Sequence, residues 1–357
     1  MRAALALARR GLGSTAPNPS VGCVLVREGR VVGRGTTAPG GRPHAERVAL
    51  AMAGEAARGA TAYVTLEPCA HVGQTPPCAD ALIVAGVERV VIGCVDPYPQ
   101  VAGAGIAKLR KAGVEVVVGV LEAEARAVHE GFLTRLSTGR PLVTLKLATT
   151  LDGKIATRTG ESQWITGPAA RRAAHALRAR HDAVMVGAGT VHTDNPELTC
   201  RIPGLRRNPD LRIVADTHLR TRLLSRVVAS AQEIPTWLLH GPGADKARAA
   251  GFRDAGVRLI EVPTAEPGID LPASLAALGQ AGLTLLLVEG GAQLASALLR
   301  AGLVDRLAWF HAPSVMGGDG LPAAAAFGLS HLDAMPRFVR TEQRTLGPDL
   351  LTHYTKE

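Results

Sequence analysis

Short apolar runs alternate with helix-patterned stretches along this chain, and that rhythm restricts the fold more than any other feature. Arg89–Cys94, Ala183–Val186 and Leu283–Val288 hold few polar side chains. Such runs suit strands covered on both faces, because half-exposed strands alternate apolar and polar residues. The pattern predicts a layered α/β protein.

The first 140 residues read as helix 2–12, strands Val21–Val26 and Arg30–Gly35, helix His44–Ala53, strand Ala62–Leu66, helix Cys78–Ala85 and strand Arg89–Cys94. Glu28-Gly29 between the first two strands is a hairpin signal. Helix Ala104–Ala112, strand Val114–Val120 and helix Glu122–Leu136 follow, forming an α/β sandwich. Thr138-Gly139-Arg140-Pro141 clusters turn residues, so the chain divides into domains 1–139 and 140–357. The second domain restarts the rhythm with strands at Leu142–Leu147, Ala183–Val186, Arg212–Ala215, Thr236–Leu239, Arg258–Val262, Leu283–Val288 and Leu307–His311. Thr352–Thr355 reads as a late strand, and Pro203–Pro209, with Arg206, Arg207 and Asn208, as a surface loop.

Composition narrows the function. Lys+Arg 40 against Asp+Glu 31 gives a net charge of +9. That charge suits nucleic acid or a small anionic substrate. The aromatics, Phe 5, Tyr 3 and Trp 3, do not cluster among basic residues, which argues against a nucleic-acid stacking platform and for phosphorylated metabolites. No apolar run reaches 18 residues, so no membrane span is expected. Residues 1–10 read as an amphipathic helix, since two arginines interrupt the short apolar run. Five cysteines, an odd number, argue for a reducing cytoplasm.

Chemistry concentrates first at Pro43-His44-Ala45-Glu46, Glu67-Pro68-Cys69 and Pro76-Pro77-Cys78. His44, Cys69 and Cys78 are three ligands for a zinc ion, leaving the fourth position for water, as in a catalytic site. Zinc lowers the pKa of that water towards about 7. Glu46 is two residues from His44, off its helical face, and can shuttle the water's proton to a leaving amine. The start of a helix favours a thiolate at Cys78. His-x-Glu followed by Pro-Cys matches the zinc nucleobase deaminases, although here nine positions separate the cysteines. His71 is a rival ligand. Cys23, Cys94 and Cys200 read as unreactive.

In the second domain, Val288-Glu289-Gly290-Gly291 leads into helix Gln293–Arg300, and Gly187-Ala188-Gly189-Thr190 makes a similar turn. Backbone amides at such helix starts suit phosphate groups. Lys146, Thr150, Asp152, Thr190, Asp194 and Thr217 fall at strand ends, where open α/β sheets gather ligands. Arg171, Arg172 and Arg180 read as a solvated face.

These motifs carry a resemblance. Pro17–Val24, Pro43–Glu46, Gly59–Cys69, Thr75–Cys78, Leu151–Lys154, Gly160–Thr166, Asp194–Arg201 and Val288–Gly291 together resemble the bifunctional riboflavin-biosynthesis deaminase/reductase family over essentially the whole chain. The resemblance implies a cytidine-deaminase-like α/β sandwich followed by a dihydrofolate-reductase-like α/β domain. It implies zinc-dependent deamination of a phosphoribosylamino-diaminopyrimidinone, then reduction of its ribosyl group to ribityl by NADPH. By motif, Asn18 would hold the pyrimidine. Ala148, Trp164, Thr190, Asp194, Thr217 and the loop from Gly291 would contact NADPH. Ser162, Arg178, Leu198, Arg201 and Glu289 would contact the sugar-phosphate substrate. Asp152, Asp194 and Glu289 stay open as proton donors for the reduction. A homo-oligomer is also compatible with the family. Four positions depart from its pattern: Thr36 or Thr37 replaces a usual His, Gln74 a basic residue, His129 an Asn and Thr150 a Ser. The competing readings are a deaminase of another base or of tRNA with a scaffold second domain, and a non-catalytic zinc module.

Overall fold

The computed structural model describes residues 1–71, 76–97, 102–205 and 210–357. Gln74 and residues 206–209 of the expected surface loop lie outside the described residues. The chain forms two compact units, Met1–Gly139 and Arg140–Glu357. Both are mixed α/β, the class expected from the sequence.

The first unit runs α1 (Arg2–Gly11), β1 (Gly22–Arg27), β2 (Arg30–Thr36), α2 (Ala45–Ala53), β3 (Thr61–Leu66), α3 (Cys78–Val84), β4 (Arg89–Cys94), α4 (Ala104–Lys111), β5 (Glu115–Val118) and α5 (Glu122–Thr138). Among the described residues its sheet has the order β2-β1-β3-β4-β5. β1 is antiparallel to β2 and β3, while β3, β4 and β5 are parallel. Glu28 and Gly29 both take positive φ, as a two-residue hairpin turn requires. Ala4, Leu5, Ala8 and Gly11 bury one face of α1 and leave Arg9 and Arg10 in solvent. Leu5, Leu25, Ala49, Val64, Leu82 and Ile92 join one buried cluster. Each large apolar side chain buried there contributes roughly 1.5–3 kcal/mol. Thr36 and Thr37 hold the end of β2: Thr37 Oγ1 accepts the Val21 amide, and Thr36 Oγ1 donates to Val21 O or Leu7 O.

The second unit begins with β6 (Leu142–Thr149), β7 (Lys154–Ala156), α6 (Pro168–Ala179), β8 (Ala183–Gly187), α7 (Ala188–Asp194), β9 (Arg212–Ala215), α8 (Arg226–Ala229), β10 (Thr236–His240), α9 (Lys246–Asp254) and β11 (Arg258–Glu261). The short β12 (Thr264–Ala265) and β13 (Gly268–Ile269) precede α10 (Leu271–Gln280), β14 (Leu285–Glu289), α11 (Ala292–Arg300), β15 (Arg306–His311), β16 (Leu321–Pro322), β17 (Phe338–Leu346) and β18 (Asp349–Lys356). The main sheet has the order β11-β10-β9-β8-β14-β6-β15-β18-β17. It is parallel from β11 to β15, and β18 and β17 add antiparallel. Along β8, Ala183 and Met185 enter one buried cluster and Val184 and Val186 another. That two-sided burial explains the unbroken apolar runs.

The late strand is longer than Thr352–Thr355 suggests, and β17 was not expected at all. Its residues Arg340 to Arg344 are polar and exposed, so β17 has no apolar face to mark it.

Candidate active sites

In the first unit the two segments Leu66–Cys69 and Cys78–Val84 converge on the start of α2. His44 is the N-cap residue of α2. Cys69 follows the end of β3, and Cys78 is the first residue of α3. Glu67 fastens the segment before Cys69. Its buried carboxylate accepts amides from Asp96, Gly103, Gly105 and Ile106. Gly105 is required here, because a Cβ would collide with Pro68 O.

His44 Nδ1 lies 3.4 Å from Cys78 Sγ and 3.7 Å from Cys69 Sγ. A tetrahedral zinc with ordinary bond lengths separates nitrogen and sulfur ligands by about 3.6 Å. The donor set therefore fits zinc. His71 does not join this cluster among the described residues.

The amide at the start of α3 points at Cys69, while zinc ligation requires the thiolate at both Cys69 and Cys78. Cys78 donates to Cys69 through its thiol and, at 3.3 Å, through its backbone amide. These bonds and nearby His44 pull the Cys69 thiol down to about 4. Cys78, donating to Cys69 and buried, is pushed up. The amide at the start of α3 thus serves the other cysteine. Glu46 is 3 % exposed, and burial followed by the Cys69 charge raises its carboxyl to about 7. Asn18 Nδ2 donates to Gly41 O at 3.1 Å, tying Asn18 to the segment that leads into α2.

His129, on α5, is buried behind β3. Its Nε2 lies 3.1 Å from Thr65 Oγ1, and its Nδ1 has no partner among the described residues. Burial lowers its pKa to about 4.

In the second unit a cleft of about 1620 Å³ opens at the carboxyl ends of the parallel strands. Every second-domain residue expected to contact NADPH or the sugar-phosphate substrate lines it. Ala148 comes from β6, Thr190 and Asp194 from α7, and Thr217 from the segment after β9. Glu289 ends β14, and Gly291 caps α11. Ser162 and Trp164 precede α6, which carries Arg178, and Leu198 and Arg201 follow α7. At Gly291, with φ +77°, an added Cβ would lie 3.3 Å from Thr190 Oγ1, so the two turns meet closely.

Arg178 donates to Glu289 through Nε and Nη2, and to Thr199 O through Nη1 at 2.9 Å. Burial alone would raise the Glu289 carboxyl, but Arg178 and Lys146 hold it at about 2. Lys146, named in the sequence among the strand-end polar groups but given no role there, lines the cleft. Its ammonium sits 5.7 Å from the Phe310 ring centre, and burial lowers its pKa. The available signal was a lone cation in the apolar run Leu142–Leu147.

Two residues were misread or missed. Arg171 is not on a solvated face. Its guanidinium stacks 4.5 Å from the Trp164 ring centre and donates to Thr166 O. His175 also lines the cleft. Of the open proton donors, Asp152 is absorbed in a turn. It accepts from Thr150 Oγ1, Met316 N and Gly317 N, which hold its carboxyl at about 2. Asp194 faces the cleft with a carboxyl raised by burial.

Residues 1–94 match the cytidine and deoxycytidylate deaminase zinc-binding region, and residues 141–352 match the RibD C-terminal domain. The riboflavin biosynthesis protein RibD of Escherichia coli is 43% identical over 99% of this chain and 97% of its own length. RibD of Aquifex aeolicus is 42% identical over 100% and 97%. Among solved structures, Acinetobacter baumannii RibD superposes with a TM-score of 0.88 at 37% identity, covering 100% of this chain and 97% of that one. A diaminohydroxyphosphoribosylaminopyrimidine deaminase/5-amino-6-(5-phosphoribosylamino)uracil reductase of Thermotoga maritima gives 0.87 at 36%, with the same coverage. Full-length identity, both domain matches and the zinc-ligand triangle lead to one assignment: the chain belongs to the RibD family, the bifunctional zinc-dependent deaminases and NADPH-dependent reductases of riboflavin biosynthesis.

Proposed function

We propose that unit 1–139 deaminates 2,5-diamino-6-(5-phosphoribosylamino)pyrimidin-4-one and that unit 140–357 reduces the ribosyl chain of the product to ribityl. The observation that carries this reading is convergence. The zinc ligands close into one triangle beside a buried glutamate, and the residues expected to hold NADPH and the sugar phosphate all line one cleft.

Zinc bound at His44, Cys69 and Cys78 supplies Lewis acidity that prepares water for attack at neutral pH. Glu46, buried and with a carboxyl near neutrality, carries a proton to the departing amine nitrogen. Asn18 holds the pyrimidine. In the second unit NADPH supplies the hydride. Ala148, Trp164, Thr190, Asp194, Thr217 and Gly291 hold that cofactor, and the cleft's volume exceeds the few hundred to about 1,000 Å³ usual for one small ligand. Ser162, Arg178, Leu198, Arg201 and Glu289 hold the sugar phosphate. Arg178 does so by fixing Glu289, since three of its nitrogens are already engaged.

The partner is a small phosphorylated pyrimidine and not nucleic acid, in keeping with a net charge of +9 and few aromatics. Among the described residues no helix is long and apolar enough to cross a membrane. All five cysteines are free, which supports a cytoplasmic setting. A homo-oligomer is in keeping with the family.

Product mass spectrometry tests the scheme. Zinc-loaded protein should deaminate the diaminopyrimidinone without NADPH and reduce the product once NADPH is added. No conversion by zinc-loaded protein would overturn the substrate assignment.

A further inference from the structure

Arg171, on α6, grips one short stretch of chain at two points. Its Nη1 donates to Thr166 O at 2.8 Å, and its guanidinium carbon lies over the Trp164 indole, 4.5 Å from the ring centre. A guanidinium can make both contacts at once, because its donors lie in its plane and its flat face stays free to meet an aromatic ring. One side chain therefore closes on both ends of Trp164–Thr166.

The same stretch is anchored on either side. Before it, Thr157 N donates to Glu161 O and Thr157 Oγ1 accepts the Glu161 amide, closing a turn. After it, Gly167 N donates to Asp349 Oδ2 at 2.7 Å, and α6 begins at Pro168. Trp164 is nonetheless 65% exposed, and it lines the cleft together with Arg171. With Arg171 over one face, the indole offers its opposite face to the cleft. An aromatic ring held in this way is a stacking surface for another flat ring.

Chain order indicates which ring that is. Ser162, two residues before Trp164, is read above as a contact of the sugar phosphate, and Trp164 as a contact of NADPH. The part of NADPH that must lie beside the sugar is the nicotinamide, which gives up the hydride. We propose that Arg171 is a positioning residue of the reductase: it fixes the Trp164 indole so that the nicotinamide ring of NADPH stacks on the face turned to the cleft. The inference rests on the reading that Trp164 holds the cofactor. Arg171 acts on the cofactor through the indole alone.

The experiment is a titration of the full-length protein with NADPH in the absence of substrate, followed by the fluorescence of the cofactor itself. Wild type, Arg171→Ala, Trp164→Ala and the double variant form a cycle. Arg171→Ala should bind NADPH about two- to fivefold more weakly, as the loss of one exposed cation–π contact implies. Trp164→Ala should bind it about tenfold more weakly, having lost the stack. The double variant should bind no more weakly than Trp164→Ala. Adenosine 2′,5′-bisphosphate, which lacks the nicotinamide, should bind wild type and Arg171→Ala equally in calorimetry. The reductase KM for NADPH should rise with the dissociation constant, whereas a merely structural loss would lower kcat and leave KM alone. Arg171→Gln, which keeps a donor for Thr166 O but no cation over the ring, repeats the test should the alanine variant fail to fold. An undiminished effect of Arg171→Ala in the Trp164→Ala background, or equal weakening of the bisphosphate, would overturn the proposal and leave the role of Trp164 intact. Wild-type affinity for NADPH in Trp164→Ala would overturn both.

Discussion

Arg178 and Glu289 meet through two parallel hydrogen bonds, Nε to Oε1 at 2.6 Å and Nη2 to Oε2 at 2.9 Å, across 111 residues of sequence. The pair joins α6 to the end of β14, with side chains only 14% and 10% exposed. Glu289 also faces the half-buried Lys146 ammonium, so one carboxylate balances two cations.

Glu289→Gln should therefore do more than weaken substrate binding. It leaves Arg178 and Lys146 without their counter-charge, which costs about 3–5 kcal/mol in comparable buried pairs. Thermal unfolding should show the second unit destabilised, and reductase kcat/KM should fall at least about a hundredfold. Deamination should persist. Wild-type reduction by this variant would show that the pair is dispensable.

Glu46→Gln tests proton transfer separately from metal binding. All three zinc ligands remain, so zinc content measured by atomic absorption should stay at one per chain. Deamination should drop by about 10²–10⁴, the usual contribution of a positioned acid–base group. Loss of zinc together with activity would move Glu46 from proton carrier to metal support.

Cys78→Ser should lower zinc affinity and unfold the first unit at a lower temperature, because it removes a ligand and its bond to Cys69. A chelator should abolish deamination in the wild type and leave reduction of the deaminated substrate unaltered. Loss of both activities on chelation would contradict the placement of the metal in the first unit.

His129 makes the first unit acid-sensitive. Its folded pKa is lowered to about 4, below the unfolded value near 6.5. The unfolded chain binds the proton first, so stability is complete above about pH 6.5 and is lost as pH falls towards about 4. The difference amounts to about 3 kcal/mol. Denaturant unfolding across that window should show the loss, and His129→Asn should flatten it. An unchanged pH profile in His129→Asn would assign the acid sensitivity elsewhere.

Much of this site could be read before the fold was known, for a physical reason. Zinc ligation needs fixed residue types, and His44, Cys69 and Cys78 keep theirs at recognisable strand and helix boundaries. The buried parallel strands announced themselves because both faces of β8 and β14 are apolar. Roles set by three-dimensional neighbours were harder to see. Arg171 resembles a surface arginine until α6 brings it against Trp164. Lys146 gains its importance from Glu289, which lies 143 positions along the chain (289 − 146). Which sulfur receives the Cys78 amide is a matter of a few ångströms that spacing does not encode.

Among the described residues, the polar strand β17 lies at the end of the nine-stranded sheet and leaves one row of backbone groups open. An open row of that kind invites pairing with any extended chain. Arg340, Glu342 and Arg344 point charged groups from it into solvent. Another strand docking there would have to strip water from those charges, so the residues that hid β17 from sequence reading also protect the folded protein against edge-to-edge aggregation.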